Sequence, residues 1–135
     1  LGHIMWEHVG MGRTAEGLKE GLEKIKAIRK EFDTNLFIPG DKEGLNVELD
    51  KAIHLRDFIT MGELIAYDAL SRNESCGGHF REEYQTEEGE AKRDDEHYFY
   101  VGCWEYQGSD EKAPELLKEP LEYEAIKVQT RNYKN

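Results

Sequence analysis

The sequence predicts an α+β fold that is mainly helical: an antiparallel three-helix bundle, then a Gly-containing loop, then a C-terminal β-hairpin. Three observations predict it. Apolar residues recur at helical spacing through most of residues 1–70. After Asp95 the spacing changes to the alternation that is typical of strands. A glycine pair inside a dense block of charged residues separates the two regions, and glycine permits backbone paths that other residues resist.

The totals set the class of protein. A chain of 135 residues suits a single domain with a modest core. Within that domain we predict a helical bundle at residues 1–71, a charged loop at 72–96 and a hairpin extension at 97–130. The net charge of -11 disfavours nucleic acid and an anionic membrane surface as partners. Two cysteines are no disulfide framework and fit a reducing cytoplasm. Because the chain begins with Leu, we expect a piece of something longer.

The first two helices follow from caps and spacing. Residues 1–11 carry apolar side chains at helical intervals, and Gly10 and Gly12 end that pattern. Thr14 is the predicted N-cap of a second helix over residues 15–32, because its hydroxyl can accept a bond from a free backbone N–H. That helix presents one apolar stripe, as expected of a helix packed against a core.

Two glycines in the second helix predict a close neighbour. Gly17 and Gly21 lie one turn apart, and each lowers helix propensity by about 1 kcal/mol relative to alanine. We interpret them as the place where another helix approaches. After a loop at residues 33–44, Asn46 is the predicted cap of a third helix that ends near Leu70. Its apolar residues surround much of its girth, which is typical of a central helix.

The C-terminal region alternates like a β-hairpin. We predict one strand over residues 98–106, a polar loop over 108–120 and a second strand over 121–128. An isolated hairpin is only marginally stable, so this one should lie against other structure. Residues 131–135 are expected to be a frayed end.

The stretch at residues 68–95 holds the most distinctive chemistry. A Cys-Gly-Gly-His turn is crowded by groups of both charges, which indicates a surface for binding. Its motif resembles the C-terminal domain of the succinate dehydrogenase/fumarate reductase flavoprotein subunit. The matching residues are Arg72, Glu74, Ser75, Gly77, His79 and Arg81, then Arg93, Asp94, Asp95 and Tyr98. The family pattern is E-S-R-G-A-H, and here Cys76 replaces the Arg and Gly78 the Ala. A second match lies at Val9–Thr14, and the resemblance covers most of the chain.

The resemblance implies a function for the longer protein. That family interconverts fumarate and succinate with FAD, and electrons pass through an iron–sulfur subunit to or from membrane quinone. Its flavin-binding and catalytic residues belong to preceding domains, so no catalytic, cofactor or metal residue is assigned here. This chain alone should bind no FAD and should be inactive. The implied partners are the preceding FAD-binding domain, the iron–sulfur subunit, and indirectly the membrane anchor. The implied location is cytoplasmic, at the inner face of the cell membrane.

The resemblance also suggests what the charged turn does. We expect the domain to contribute packing and assembly, and to dock against the flavin domain through Arg72, Glu74, His79 and Arg81. The alternative is that Glu74 orients Arg72 or Arg81 within the loop, because most charged loop residues contribute little to binding. The same bundle is known in L-aspartate oxidases and adenylylsulfate reductases. The Arg93-Asp-Asp spacer and the tail after Tyr98 favour the fumarate/succinate branch.

Three other interpretations arise from residue types alone. Gly10–Ala15 matches G-x-G-x-x-A, and with a strand at residues 4–9 and Asp33 downstream it would bind a dinucleotide, although a helical junction fits it better. Cys76 and His79 could be a nucleophile and its base, or half of a zinc site with His97 and Cys103. A free-standing adaptor that binds a protein through residues 68–95 is the alternative to the oxidoreductase.

Overall fold

The computed structural model describes residues 1–41 and 43–129. The predicted frayed end at residues 131–135 and the last residue of the predicted hairpin extension therefore lie outside the described residues. The chain divides into two compact units, the first spanning Leu1–Ser71 and the second beginning at Arg72. The boundary coincides with the end of the predicted bundle.

The first unit is the predicted antiparallel bundle. It contains α1 (Gly2–His8), the two-residue strand β1 (Gly12–Arg13), α2 (Ala15–Asn35) and α3 (Val47–Ser71). As α2 advances from Lys26 to Arg29, its neighbours on α3 move back from Tyr67 to Thr60, so the two helices run in opposite directions. The mainly helical fold class is confirmed.

Both predicted caps are present. The Thr14 hydroxyl accepts the backbone N–H of Gly17 at 3.0 Å. The Asn46 amide oxygen accepts the N–H groups of Glu48 and Leu49, each at 3.1 Å. These bonds occupy donors that have no partner inside their own helix, and each such cap stabilises its helix by about 1 kcal/mol. The starts of the two long helices were therefore readable from local sequence.

The core of the first unit lies between α2 and α3. Large side chains of α2, at Leu18, Leu22 and Ile25, are buried against α3. The buried positions of α3 are mostly small: Ala52, Ile59, Gly62, Ala66 and Ala69. Burying each large aliphatic side chain stabilises the fold by about 1.5–3 kcal/mol. The small residues of α3 leave room for larger neighbours: the aliphatic side chains of α2 pack in this core, and Met5 lies beside Gly62.

Gly21 is the point of close approach that its spacing predicts. A Cβ built at Gly21 would lie 2.8 Å from the Cβ of His8, at the end of α1. Both atoms are attached directly to backbone, so neither can move aside without shifting a helix. The glycine is therefore required by the packing of α1 on α2, and the predicted close neighbour is confirmed as α1.

We predict that Gly21→Ala destabilises the first unit although alanine is the better helix former. Overpacking costs about 1–3 kcal/mol, which exceeds the propensity gain of about 1 kcal/mol. Thermal unfolding followed by circular dichroism measures the effect. Gly2→Ala is the matched control, because a Cβ there meets nothing within 4 Å. A Gly21→Ala variant that melts at or above the parent temperature would contradict the packing.

The second unit contains short elements. These are β2 (Phe80–Arg81), α4 (Asp95–Tyr98), β3 (Tyr100–Glu105) and β4 (Glu115–Pro120). Strands β3 and β4 pair antiparallel, with Tyr100 opposite Pro120 and Glu105 opposite Glu115. A C-terminal hairpin is therefore confirmed, with an intervening loop at residues 106–114.

The predicted position of the second strand was wrong. We placed it at residues 121–128, whereas the structure has it at Glu115–Pro120, inside the predicted loop. The alternation after Leu121 is real, but pairing with β3 across the loop selects the earlier segment. The first strand also begins later than predicted, because the Asp94 side chain accepts the His97 N–H at 3.2 Å and starts the short helix α4.

Candidate functional site

The Cys-Gly-Gly-His sequence forms a tight turn. The N–H of Cys76 donates to the carbonyl of His79 at 2.8 Å, and the N–H of His79 donates to the carbonyl of Cys76 at 3.0 Å. Gly77 has φ of +59°, a left-handed conformation that favours glycine. Cys76, Gly77 and Gly78 are exposed. We call Cys76–His79 the exposed turn.

The backbone carbonyl of Arg72 accepts hydrogen bonds from two side chains of this region. It accepts from His79 Nε2 at 3.0 Å and from Arg81 Nη1 at 3.3 Å. Because a carbonyl can only accept, the His79 proton is on Nε2. His79, the last residue of the exposed turn, and Arg81, two residues further on, thus both bind the segment before the turn and hold its two arms together.

Arg81 is buried, with 2% of its surface exposed. Its backbone N–H donates to the Ser75 hydroxyl at 2.8 Å, and that hydroxyl donates to the Arg81 carbonyl at 3.1 Å. Its Nε donates to Glu83 at 3.1 Å, and its guanidinium lies 5.5 Å from the centre of the Tyr84 ring. A buried cation is tolerated when it is paired and hydrogen-bonded, as this one is.

Arg72 and Glu74 connect the exposed turn to the start of the hairpin. Arg72 Nη2 donates to Glu74 at 3.1 Å and to the carbonyl of Tyr98 at 2.6 Å. The other Glu74 oxygen accepts the N–H of Asp94 at 2.9 Å, and only 2% of Glu74 is exposed. The Arg72 guanidinium lies 5.1 Å from the centre of the Tyr100 ring, within cation–π range.

The structure therefore brings the four predicted docking residues into one network, which we call the frame: Arg72, Glu74, His79 and Arg81. Every frame residue bonds within the second unit. Sequence reasoning missed the roles of Ser75, Asp94 and Tyr98. The Arg72–Tyr98 bond spans 26 positions and has no local sequence pattern, whereas Asp94 three residues before His97 is a readable helix cap.

A cleft of about 420 Å³ adjoins the frame. Its walls include the rings of Tyr98, Phe99, Tyr100 and Tyr123. The arginines that line it are paired inside the chain, Arg72 with Glu74 and Arg93 with Asp95. These pairs and rings stabilise the second unit, and the geometry supports a structural role for them.

The dinucleotide interpretation is wrong. Residues 4–8, which would have to be a strand, belong to α1, and Asp33 lies inside α2. A Cβ at Gly10 would be 2.6 Å from the carbonyl of Trp6, so this glycine serves the end of a helix. The residues at this motif do not fit the pyrophosphate of FAD, which needs a strand–turn–helix cradle.

The geometry does not support the thiol and zinc interpretations. His79 Nε2 carries its proton toward Arg72 and is therefore not a base at that atom. Within residues 1–41 and 43–129, no three His, Cys, Asp or Glu side chains lie close enough together to hold a metal ion. Cys103, which zinc binding would require, is exposed on β3, and His97 is bound to Asp94 at 2.9 Å.

His97 and Asp94 shift each other's titration. The bond between them lowers the pKa of Asp94 and raises the pKa of His97, and their opposite charges add to both effects. Since the His97 pKa is raised, its contribution to stability is complete below pH 6.5 and is lost as pH rises through the folded pKa. The contribution of Asp94 to stability is present above pH 3.8, its ordinary pKa, and is lost as pH falls through its lowered pKa in the folded protein.

We predict that Asp94→Asn returns the pKa of His97 toward its ordinary value of 6.5. Asparagine keeps the capping oxygen and removes only the charge, so α4 should persist. A proton NMR titration of the His97 ring measures the change. Glu96→Gln is the control, because Glu96 is the smallest of the causes that raise the His97 pKa. An unchanged pKa in Asp94→Asn would refute the assignment.

Comparison with known proteins gives a family. The family model described as fumarate reductase flavoprotein C-term matches residues 1–133. An L-aspartate oxidase of rice is 36% identical over 94 residues, which are 69% of this chain and 14% of that protein. One subunit of the fumarate reductase (CoM/CoB) from Methanothermobacter marburgensis is 29% identical over 93 residues, which are 69% of this chain and 17% of that protein.

Solved structures share the fold. A quinol fumarate reductase of E. coli superposes with a TM-score of 0.79 at 22% identity, covering 96% of this chain and 21% of that one. Mycobacterium smegmatis Sdh1 superposes with a TM-score of 0.73 at 22% identity, covering 90% of this chain and 19% of that one. This chain therefore spans about one fifth or less of each of these four proteins.

Proposed function

We propose a function from one premise: the chain belongs to the family of fumarate reductase flavoprotein C-terminal domains. It is the C-terminal domain of a longer FAD-dependent flavoprotein that interconverts fumarate and succinate. The observation that carries the proposal is a family match over nearly the whole chain, from a family whose named members include fumarate reductase and succinate dehydrogenase subunits. A free-standing adaptor is not favoured, because these relatives are several times longer than the chain.

In this proposal the domain supplies packing and assembly. FAD and the reacting groups belong to preceding domains, and electrons pass through an iron–sulfur subunit toward a membrane anchor. The whole protein is then cytoplasmic, held at the inner face of the membrane by its partners. No helix within residues 1–41 and 43–129 is long and apolar enough to cross a bilayer.

The frame gives the second unit its part in assembly. Its residues Arg72, Glu74, His79 and Arg81 fix the exposed turn, and the two glycines at the tip let another backbone come close. We propose that the flavin domain binds this turn. The frame then contributes to docking by holding the turn in shape, with Glu74 and Arg81 buried beneath it.

A second candidate is L-aspartate oxidation. The observation in its favour is the extent of the match to the rice L-aspartate oxidase, which covers 69% of this chain at 36% identity, whereas the succinate dehydrogenase flavoprotein subunit of Rickettsia bellii covers 59% at the same 36% identity. The Arg93-Asp-Asp spacer and the aromatic tail favour the fumarate/succinate branch, and we keep that as the first candidate.

One assay separates the two candidates. The full-length protein, purified with its flavin, is tested for fumarate reduction with a reduced dye and for L-aspartate oxidation with oxygen or fumarate as the acceptor. The first candidate requires fumarate to be reduced with the dye as the electron donor, and succinate to be oxidised in the reverse assay. Turnover of L-aspartate without succinate oxidation would favour the second candidate and contradict the first.

A further inference from the structure

The two faces of the β3–β4 hairpin differ in exposure. Side chains of residues directly opposite each other in an antiparallel pair point to the same face. On one face Tyr100 is buried, and Trp104 and Leu116 are half-buried. The other face consists of three cross-strand pairs whose six side chains are all exposed: Val101 with Glu119, Cys103 with Leu117, and Glu105 with Glu115. We call these six residues the outer face of the hairpin.

The centre of the outer face is apolar. Val101 is 50% exposed and Leu117 is 45% exposed. Cys103, which is also exposed, follows Val101 on the same side of β3 and lies directly opposite Leu117. The three side chains therefore form one contiguous apolar surface, and burying it against a partner would be favourable.

Both ends of the outer face are acidic. Glu119 lies at one end, and Glu105 faces Glu115 at the other. Only the neutral side-chain amide of Gln107 joins this second pair, at 3.4 Å from a carboxylate oxygen of each. In the part of the chain that the structure describes, no lysine or arginine forms an ion pair with any of the three carboxylates. Like charges directly opposite each other destabilise a sheet, so a cation supplied from outside would be favourable here.

We propose that the outer face binds an extended polypeptide segment that carries a cation, an apolar side chain and a second cation at alternate positions. The three cross-strand pairs lie two residues apart along each strand, which is about 7 Å. Alternate side chains of an extended segment have the same spacing, so its cations meet the acidic ends while its apolar side chain covers Cys103 and Leu117. The proposal goes beyond the catalytic function and does not depend on whether fumarate or L-aspartate is the substrate.

The test uses Cys103 in the full-length protein as a reporter. The protein is treated with iodoacetamide, and alkylation of each cysteine is followed by mass spectrometry. The probe is the synthetic peptide Lys-Thr-Val-Thr-Lys, blocked at both ends, at about 2 mM. We expect it to slow alkylation of Cys103 by at least about threefold, because a bound peptide covers the thiol. The rate at Cys76, the internal control, should not change. Slowing of neither cysteine, or of both alike, would overturn the proposal.

A second peptide tests the spacing. Lys-Lys-Val-Thr-Thr has the same composition and charge, but its two cations are adjacent and cannot reach both acidic ends. It should slow alkylation of Cys103 by less than about half as much as the first peptide. Equal slowing by the two peptides would mean that charge alone attracts them, and the proposed pattern would be wrong.

Variants test the acidic end. Glu105→Gln with Glu115→Gln should abolish the slowing, whereas Glu82→Gln with Glu87→Gln makes the same change of net charge at exposed positions elsewhere and should preserve it. The first double variant should melt no lower than the parent, because it relieves the repulsion between opposite carboxylates. If it keeps the slowing, or melts below the parent, the two carboxylates are not a binding site and the proposal is wrong.

Two results without peptide would also contradict the proposal. Alkylation of Cys103 more than about tenfold slower in the native full-length protein than in guanidinium would mean that the rest of the protein covers this face. A rate that falls as the protein is concentrated would mean that a second copy covers it. Neither result concerns flavin content or substrate, so both would leave the proposed function intact.

Discussion

Replacing Arg81 with alanine is expected to lower the melting temperature of this chain by about 10 °C, corresponding to about 3 kcal/mol. Arg81 is 2% exposed and bonds to the Arg72 carbonyl and to Glu83. The substitution removes these bonds, the packing of the side-chain stem and the contact with the Tyr84 ring. Thermal unfolding followed by circular dichroism measures the change.

Two control variants show whether the loss of stability is specific to the guanidinium of Arg81. Arg81→Lys keeps the charge but cannot reproduce the planar fork, so its melting temperature should fall between those of the parent and the alanine variant. Arg56→Ala removes an exposed arginine and should change stability by no more than about 0.5 kcal/mol. If Arg81→Ala melts like the parent, the contacts of Arg81 that matter are made with a partner, and the frame does not hold the turn.

The second large effect is expected at the ion pair between α2 and α3. Arg29 Nη2 lies 2.7 Å from Glu63 Oε2, and each side chain is 13% exposed. Glu63→Gln keeps the shape and removes the carboxylate that lies 2.7 Å from a mostly buried guanidinium, although Thr60 remains at 3.4 Å. Removing one partner of a buried pair costs about 3–5 kcal/mol, and we expect the lower end here because some solvent reaches both groups.

A double variant distinguishes the loss of one charge from the loss of both charges of the pair. Arg29→Met with Glu63→Leu should recover most of the lost stability, because both charged groups of the pair are then removed together. Glu23→Gln is the surface control: the Glu23–Lys26 pair is exposed, and its loss should cost at most about 0.5 kcal/mol. Urea unfolding of the four proteins measures these differences. A single Glu63→Gln variant as stable as the Glu23→Gln control would show that the pair contributes nothing.

Local sequence was enough to predict the bundle. Thr14 and Asn46 predict the starts of the two long helices, because a cap bonds to backbone N–H groups only two or three positions away. Gly21 predicts a closely packed neighbour, because a glycine inside a helix lowers helix propensity and the packing must offset that loss. The hairpin was harder to predict. Which segment pairs with Tyr100–Glu105 is decided across a loop, and the alternation after Leu121 gave an equally good local pattern.

The candidate site was predictable in composition and not in geometry. The four frame residues were recognised from their motif, and they do lie together. Their burial was not foreseen. It depends on contacts such as the bond from Arg72 to the Tyr98 carbonyl, whose partners are 26 positions apart in the sequence. The large apolar residues on the outside of α3 raised the same difficulty. They resemble core residues in sequence, and their exposure becomes visible only when the fold is known.

The mass and flavin content of the natural gene product test the central claim most directly. The claim is that this chain is the C-terminal domain of a flavoprotein several times its length. Mass spectrometry of the protein isolated from its source, with an absorption spectrum of the same sample, gives both quantities. The account predicts a chain of several hundred residues that contains this sequence and carries FAD. A flavin-free protein with the mass of these 135 residues alone would contradict it.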